Sequence, residues 1–273
     1  MDDYINITGL KIFANHGVLP EEKENGQDFF LNVKLYYDMS KPGKTDDLTD
    51  AVNYAQCCEY MKEVFTEKSF DLIEKAGEYL CERLLCKFDL IKLVELELRK
   101  PHAPIGLPFE DVSVNMKRSW HEVYISFGSN MGDKEKYIEN GLNRLREHGL
   151  IKKVKVSSLI RTKPYGGVEQ DDFINGCAKL YTIMNPEELL AFLHEIEAEA
   201  NRIREVHWGP RTLDMDIVFY DKLVYESETL VIPHIDMQNR DFVLRPLNEL
   251  CPNFRHPVLC KTVAQMLTEL DDK

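Results

Sequence analysis

The sequence predicts an α+β protein built of two consecutive domains. Three observations carry this. A chain of 273 residues is long enough for about two domains of ~150 residues each. Its first half has four segments that alternate apolar and polar residues, and between them two whose apolar residues recur every three or four positions. Past Trp120 a new apolar strand, EVYISFG, begins, and strands then interleave with helices.

In order along the first half, YINITGLKIFANHG and FFLNVKLYYDM have the period-two pattern of strands. KPGKTDD reads as a loop. YAQCCEYMKEVFTEK and LIEKAGEYLCERLLCKF read as amphipathic helices. KPHAPIGLP, with three prolines and a glycine, is a second loop. It lies between the strands LVELELRK and VSVNMKR. The boundary follows, giving domains 1–118 and 121–273. The second domain reads as strand 122–127, helix 133–147, strands 154–161 and 173–182, helix 186–201, strand 213–220, an irregular segment around Pro233-His234, and a last helix 261–270. Such interleaving implies an α+β or α/β sandwich.

The hydrophobic fraction of 44% is ordinary for a soluble globular protein. The net charge of −13 argues against a nucleic-acid binder. Arginines concentrate locally (Arg202, Arg204, Arg211, Arg240, Arg245), which suits a small anionic ligand better than a polymer. No window approaches the ~20 apolar residues of a membrane span, and the N-terminus lacks a basic n-region, so the expectation is a cytoplasmic protein without membrane partners. The seven cysteines form no C-x-x-C pair. They are expected to be buried free thiols in a reducing compartment, with no zinc site.

The most informative stretch runs from Arg202 to Ile217 and contains WGPRTLDMDI. Asp214 and Asp216 are two apart in a strand, so both face one way. Adjacent carboxylates repel, and a hard cation such as Mg²⁺ between them removes the repulsion. The alternative is a pair of solvated aspartates on an exposed strand. Arg211 and Trp208 on a Gly-Pro turn, preceded by Arg202, Arg204 and His207, shift the balance, because carboxylates plus arginines are what phosphoryl transfer needs. No Walker A motif occurs, so a P-loop kinase is excluded.

These residues, with PHIDMQNRDFVL, YISFGSNMGD, RTKPYGG and DDFINGCAKLY in the same order, resemble the 6-hydroxymethyl-7,8-dihydropterin pyrophosphokinase family over roughly residues 121–270. That resemblance implies a ferredoxin-like α/β sandwich and transfer of a pyrophosphoryl group from ATP to a reduced pterin. It implies two magnesium ions held by Asp214 and Asp216. Arg202 and Arg211 would contact the transferring phosphates. Glu197, Arg204, Ile217, His234 and Arg240 would position ATP. Thr162 and Asn175 would bond the pterin edge, Phe173 and Phe242 would sandwich its ring, and Trp208 would close over it. Taken singly, the phenylalanines read as core, His234 as a turn residue, and Gly128-Ser129-Asn130 as a turn. Lys163 and Tyr165 depart from the family pattern in the second loop.

The first half carries weaker signals. Glu22 in PEEKEN reads as a solvated charge run, Glu74 as a helix-start carboxylate, Tyr54 as another helix start, and Lys100 as a strand end. Together with GLKIFANHGVLPEEKENGQ, TDDLTDAVNY, FDLIEKAGEYL and LRKPHAPIG they resemble dihydroneopterin aldolase over about residues 3–118. The resemblance implies a tunnelling fold, an antiparallel sheet plus two helices, assembled into a homo-oligomer (tetramer or octamer) with sites between subunits. Lys100 would assist proton movement through a water supported by Glu22. Tyr54 would relay a proton, Glu74 would anchor the guanidine-like pterin edge, and Ile73 and Asn53 would complete that site. No cofactor is expected, because the pterin's own imine can take up the electrons. The competing readings are a catalytically weak oligomerisation domain ahead of an active kinase, and a pterin carrier without turnover. The aspartate pair argues against the carrier.

Overall fold

The computed structural model describes residues 3–163, 171–200 and 211–272. Two compact units divide the chain, Met1–Trp120 and His121–Lys273.

The first unit contains strands β1 (Tyr4–Ala14), β2 (Gln27–Tyr36), β3 (Leu93–Arg99) and β4 (Ser113–Ser119), antiparallel and in sequential order. Between β1 and β2 lies the short helix α1 (Pro20–Asn25), and after β2 the single turn α2 (Pro42–Thr45) within the stretch expected to be loop. The two long helices α3 (Tyr54–Glu67) and α4 (Ile73–Lys87) follow. Asn53 caps α3 by accepting from the backbone N–H of Ala55 and Gln56.

Alternation in β2 and β3 sends Phe29, Leu31, Val33, Leu35, Val94, Leu96 and Leu98 to one face, all at most 2% exposed. Cys57, Met61, Val64 and Phe65 of α3 and Leu80, Leu84 and Leu85 of α4 cover that face. Gly77 lets α4 sit down on the sheet: a Cβ there would lie 2.7 Å from Met116 Cε. This is the sheet-plus-two-helices layout expected of the first half.

In the second unit β5 (His121–Ser129), α5 (Lys134–Glu147), β6 (Ile151–Val156), β7 (Ile160–Thr162), β8 (Phe173–Thr182), α6 (Pro186–Glu199) and β9 (Asp214–Tyr220) follow in order. The sheet order is β6-β8-β5-β9, antiparallel throughout, with β7 beside β8. Setting β7 aside, this is the βαββαβ ferredoxin-like arrangement. The single strand expected at 154–161 is two strands. The register shifts between Lys152 and Lys155, and Ser157 is tied to Cys177 both by its N–H and by its hydroxyl.

A small hairpin of β10 (Tyr225–Glu226) and β11 (Val231–Ile232) leads to two further helices, α7 (Asp241–Leu250) and α8 (Val263–Asp271). α5 and α6 pack on one sheet face through Leu142, Leu145, Leu193 and Ile196 against Ile125, Phe127, Met215 and Ile217. On the opposite face Val243, Leu244, Leu247 and Met266 of α7 and α8 meet Tyr124, Cys177, Val218 and Phe219. The unit therefore has three layers. α7 is absent from the sequence-based reading because Pro246 sits inside it.

All seven cysteines are free. Cys57, Cys81, Cys177 and Cys251 are buried as expected, but Cys86 and Cys260 are exposed. Burial pushes the thiols of Cys57, Cys81 and Cys251 up to about 12. Among the described residues no helix is long and apolar enough to cross a membrane.

Candidate active sites

In the first unit Glu22 is not a solvated residue of a charge run. It is 9% exposed, as the third residue of α1 turned inward. Its Oε2 accepts from the N–H of Leu19, capping its own helix. Its Oε1 takes an ion pair with Lys100 Nζ at 2.5 Å and a bond from Gln27 Nε2 at 3.3 Å. Lys100, 7% exposed at the end of β3, also donates to the backbone oxygen of His16 at 3.3 Å. Burial alone would raise the Glu22 carboxyl. The bonds from Lys100, Leu19 and Gln27 outweigh it and hold the group below the usual carboxylate range. Gly17 packs against this carboxylate so closely that a Cβ would fall 2.3 Å from it.

Tyr54 opens α3 at 63% exposure, and Ile73 and Glu74 open α4 with Glu74 exposed. Among the described residues no hydrogen bond or ion pair joins Tyr54 or Glu74 to the Glu22–Lys100 pair. The structure thus brings together Glu22 and Lys100, and adds His16, Gly17 and Gln27, which sequence reasoning did not single out. Nothing in their spacing signals a pairing that spans 78 positions along the chain.

In the second unit Asp214 and Asp216 stand on β9, opposite Gly128 and Ser126 of β5. Gly128 is also paired with Asn175 of β8. The row Asn175–Gly128–Asp214 therefore crosses three strands on one face, with no side chain in the middle. A Cβ at Gly128 would lie 2.4 Å from Asn175 Oδ1. Asn175 donates to Thr162 Oγ1 at 2.7 Å, and Thr162 pairs with Phe173. Phe173 and Phe242 are half-buried rather than core.

Arg211 donates to Asp214 Oδ2. Its backbone is clasped by Asn130, which accepts from its N–H at 2.7 Å and donates to its carbonyl at 3.0 Å. From sequence Asn130 reads as a turn residue, yet it is 1% exposed. The cis peptide Ile232–Pro233 precedes His234, whose N–H donates to Val218, two residues beyond Asp216. Arg240 bonds Asp236 at 3.1 Å and lies over the Phe242 ring.

Burial, then the Asp214 charge, pushes the Asp216 carboxyl above its ordinary range, against His234, Arg211 and Arg240. Burial also lowers His234, with Asp216 pulling the other way. Glu197, 3% exposed, accepts from the N–H of Met215 between the two aspartates, bracing edge strand β9 from behind. Ile217 is buried in the α5/α6 core, so only its backbone can face a ligand. Arg202, Arg204, Trp208 and Tyr165 lie outside the described residues.

The aspartate pair fits magnesium. Its donors are hard oxygens, its charges repel, and two carboxylates are as many as this ion commonly takes from protein when phosphates supply the rest.

A family model for 7,8-dihydro-6-hydroxymethylpterin-pyrophosphokinase matches residues 124–252, and one for dihydroneopterin aldolase matches residues 5–117. A pyrophosphokinase of Bacillus subtilis, 2-amino-4-hydroxy-6-hydroxymethyldihydropteridine pyrophosphokinase, is 44% identical over 47% of this chain and 77% of its own length. The folic acid synthesis protein fol1 of Schizosaccharomyces pombe is 44% identical over 98% of this chain and 37% of its own. The bifunctional protein FolKE of Lactococcus lactis is 50% identical over 46% of this chain and 36% of its own. The chain spans less than half the length of such larger relatives. With the aspartates, Arg211 and the Asn175 row all inside the matched region, the chain belongs to the hydroxymethyldihydropterin pyrophosphokinase family and carries a dihydroneopterin aldolase domain ahead of it.

Proposed function

We propose that the chain catalyses two consecutive steps of folate biosynthesis, the product of the first unit being the substrate of the second. The observation that carries this is the pairing of two preformed sites: a buried Glu22–Lys100 ion pair in one unit, and two carboxylates beside an arginine and a side-chain-free row in the other.

In the first unit the reaction is retro-aldol cleavage of 7,8-dihydroneopterin. The side-chain hydroxyl loses its proton, the carbon–carbon bond breaks, and its electrons pass into the pterin imine, giving an enamine and glycolaldehyde. A proton then returns to carbon, leaving 6-hydroxymethyl-7,8-dihydropterin. Lys100, held by Glu22 and the His16 carbonyl, keeps the proton-carrying group at one place in a dry setting. Glu74 and the Ile73 backbone bind the pterin edge. Tyr54 and Asn53 come from a second copy of the chain, which accounts for the exposure of Tyr54 and its separation from Lys100. Assembly through the first unit, as a tetramer or octamer, is checked by light scattering.

In the second unit the reaction is transfer of pyrophosphate from ATP to the hydroxymethyl group, releasing AMP. Asp214 and Asp216 would hold magnesium, which would supply neutralisation of the phosphate charge. Arg211, aimed by Asn130, stabilises charge on the transferring group, with Arg202 in the same role. His234, Arg240 and Arg204 hold ATP, while Glu197 keeps the aspartates in place. Asn175 and Thr162 bond the pterin in the gap over Gly128. Phe173 and Phe242 stack on it and Trp208 covers it.

The test supplies dihydroneopterin, ATP and Mg²⁺ to the whole chain. Pyrophosphorylated pterin, glycolaldehyde and AMP are expected in equal amounts. No product, with each unit also inert on its own substrate, overturns the reading.

A further inference from the structure

His16 sits just past the end of β1 and is 1% exposed. Its ring is packed among Phe29, Phe65 and Phe70, with centroids at 5.5, 4.4 and 5.7 Å. Nδ1 lies 3.2 Å from the backbone N–H of Phe70, which can only donate. Nδ1 must therefore carry no proton, and the neutral ring is protonated at Nε2, which donates to the Phe65 carbonyl at 2.9 Å. Burial holds the ring below the usual histidine value; the Phe65 bond opposes this and the nearby Lys100 charge adds to it.

The neighbours of His16 extend the same clasp. The N–H of Gly17 donates to the Phe70 carbonyl at 2.9 Å, and the Ser69 hydroxyl donates to the Asn15 carbonyl. Both backbone polar groups of Phe70 are thus held by residues 16 and 17. Phe70 stands three residues before α4, whose first two residues are Ile73 and Glu74. The carbonyl of His16 meanwhile accepts from Lys100. One buried residue touches the proton-transferring pair with its backbone and the approach to the pterin anchor with its ring.

We propose that His16 is a positioning residue of the cleavage site, fixing the start of α4 relative to Lys100, so that Glu74 meets the pterin edge while Lys100 meets its side chain. This rests on the aldolase reading of the first unit. Of the two ring bonds, the one to Phe70 transmits the effect, because the Phe65 bond reaches only the last turn of α3.

Two amide variants separate these bonds. His16→Asn keeps an acceptor near the place of Nδ1 but cannot reach Phe65. His16→Gln keeps a donor near the place of Nε2 but loses the acceptor for Phe70. In the full chain, glycolaldehyde release gives kcat and KM, and its inhibition by added 6-hydroxymethylpterin gives the pterin affinity of the first unit alone. His16→Gln is expected to raise KM and the pterin Kd about tenfold, in line with one lost buried bond, while kcat changes less. His16→Asn is expected to restore both to within about twofold to threefold of the parent. Equal behaviour of the two variants at equal thermal midpoints, whether both parental or both impaired, overturns the proposal. Should His16→Gln fail to fold, a folded His16→Asn chain that binds pterin tenfold more weakly overturns it, and parental affinity supports it. A parent that binds pterin but releases no glycolaldehyde defeats the aldolase reading instead, and is told apart by that control.

Discussion

The two sites solve opposite electrostatic problems. In the first unit the buried charges close on each other: Glu22 and Lys100 are of opposite sign, each 9% exposed at the side chain, and each has further partners. In the second, two like charges share one face of β9, and the structure leaves Asp216 raised despite Arg211, His234 and Arg240. A site of the first kind has its charges matched within the chain itself. A site of the second kind leaves like charges together, which is the repulsion the magnesium proposed for it would offset. The contrast fits the two proposed reactions, one in which the pterin would supply its own electron sink and one in which the phosphate charges of ATP would have to be offset.

The sharpest way to break this contrast is to remove one carboxylate. Asp216→Asn is expected to cut pyrophosphoryl transfer by about a thousandfold or more while glycolaldehyde release stays parental. Isothermal titration should show pterin still binding and the magnesium dependence of nucleotide binding lost. A variant that keeps transfer within tenfold removes the metal assignment.

Cutting the opposite-sign pair should act on stability as well as rate. Lys100→Ala leaves Glu22 buried without its cation, and the first unit should lose about 3–5 kcal/mol, read from urea unfolding. Glycolaldehyde release should fall at least a hundredfold. If release is unchanged, the first unit is an oligomerisation domain and the comparison collapses to one catalytic site. Lys100→Met combined with Glu22→Leu should recover most of the stability and none of the activity.

The second site was the more legible in the sequence for a physical reason. Asp214 and Asp216 declare their shared face by spacing alone, since strand geometry is local. Glu22 and Lys100 meet only because β1, α1 and β3 fold together, and no local rule distinguishes the inward Glu22 from Glu21 or Glu24 beside it. Both sheets and the long helices followed from periodicity. α7 did not, because Pro246 imitates a stop signal; in the fold the proline is buried with Leu244 and Leu247, and packing offsets its missing bond. Asn130 and His16 were silent for a third reason. Each works through its neighbours' backbone, which sequence does not display.

A smaller effect sharpens the pterin side of the contrast. Gly128→Ala would place a methyl against Asn175 Oδ1, forcing the amide away from Thr162. Pterin affinity of the second unit should drop about tenfold, while ATP affinity and the first unit's kinetics remain parental. Parental pterin affinity would show that the gap over Gly128 is not where the pterin lies.

The smallest effect is read in the pH dependence of stability. His16 in the first unit and His256 in the second are lowered by burial from the ordinary 6.5. The unfolded chain therefore takes up these protons at higher pH than the folded one does. Their contribution is present in full above about 6.5 and is lost as pH falls from there through the folded values, at up to ~1.4 kcal/mol per pH unit for each group. Asp216 has the opposite sign. Its carboxyl is raised in the fold, so its ionisation costs stability above that raised value and the cost disappears as pH falls. The second unit thus carries a contribution that partly cancels its histidine loss, whereas Glu22 in the first unit adds nothing of that sign, since its carboxyl is lowered. Hydrogen exchange at β3 and β9 amides, without magnesium, reports the units separately. Asp216→Asn should slow exchange in β9 at pH 8, with the gain shrinking as pH falls toward the ordinary carboxyl value of 3.8, and should leave β3 unchanged throughout. A gain in β9 that persists undiminished down to pH 3.8 would mean that the Asp216 carboxyl is not raised in the folded chain.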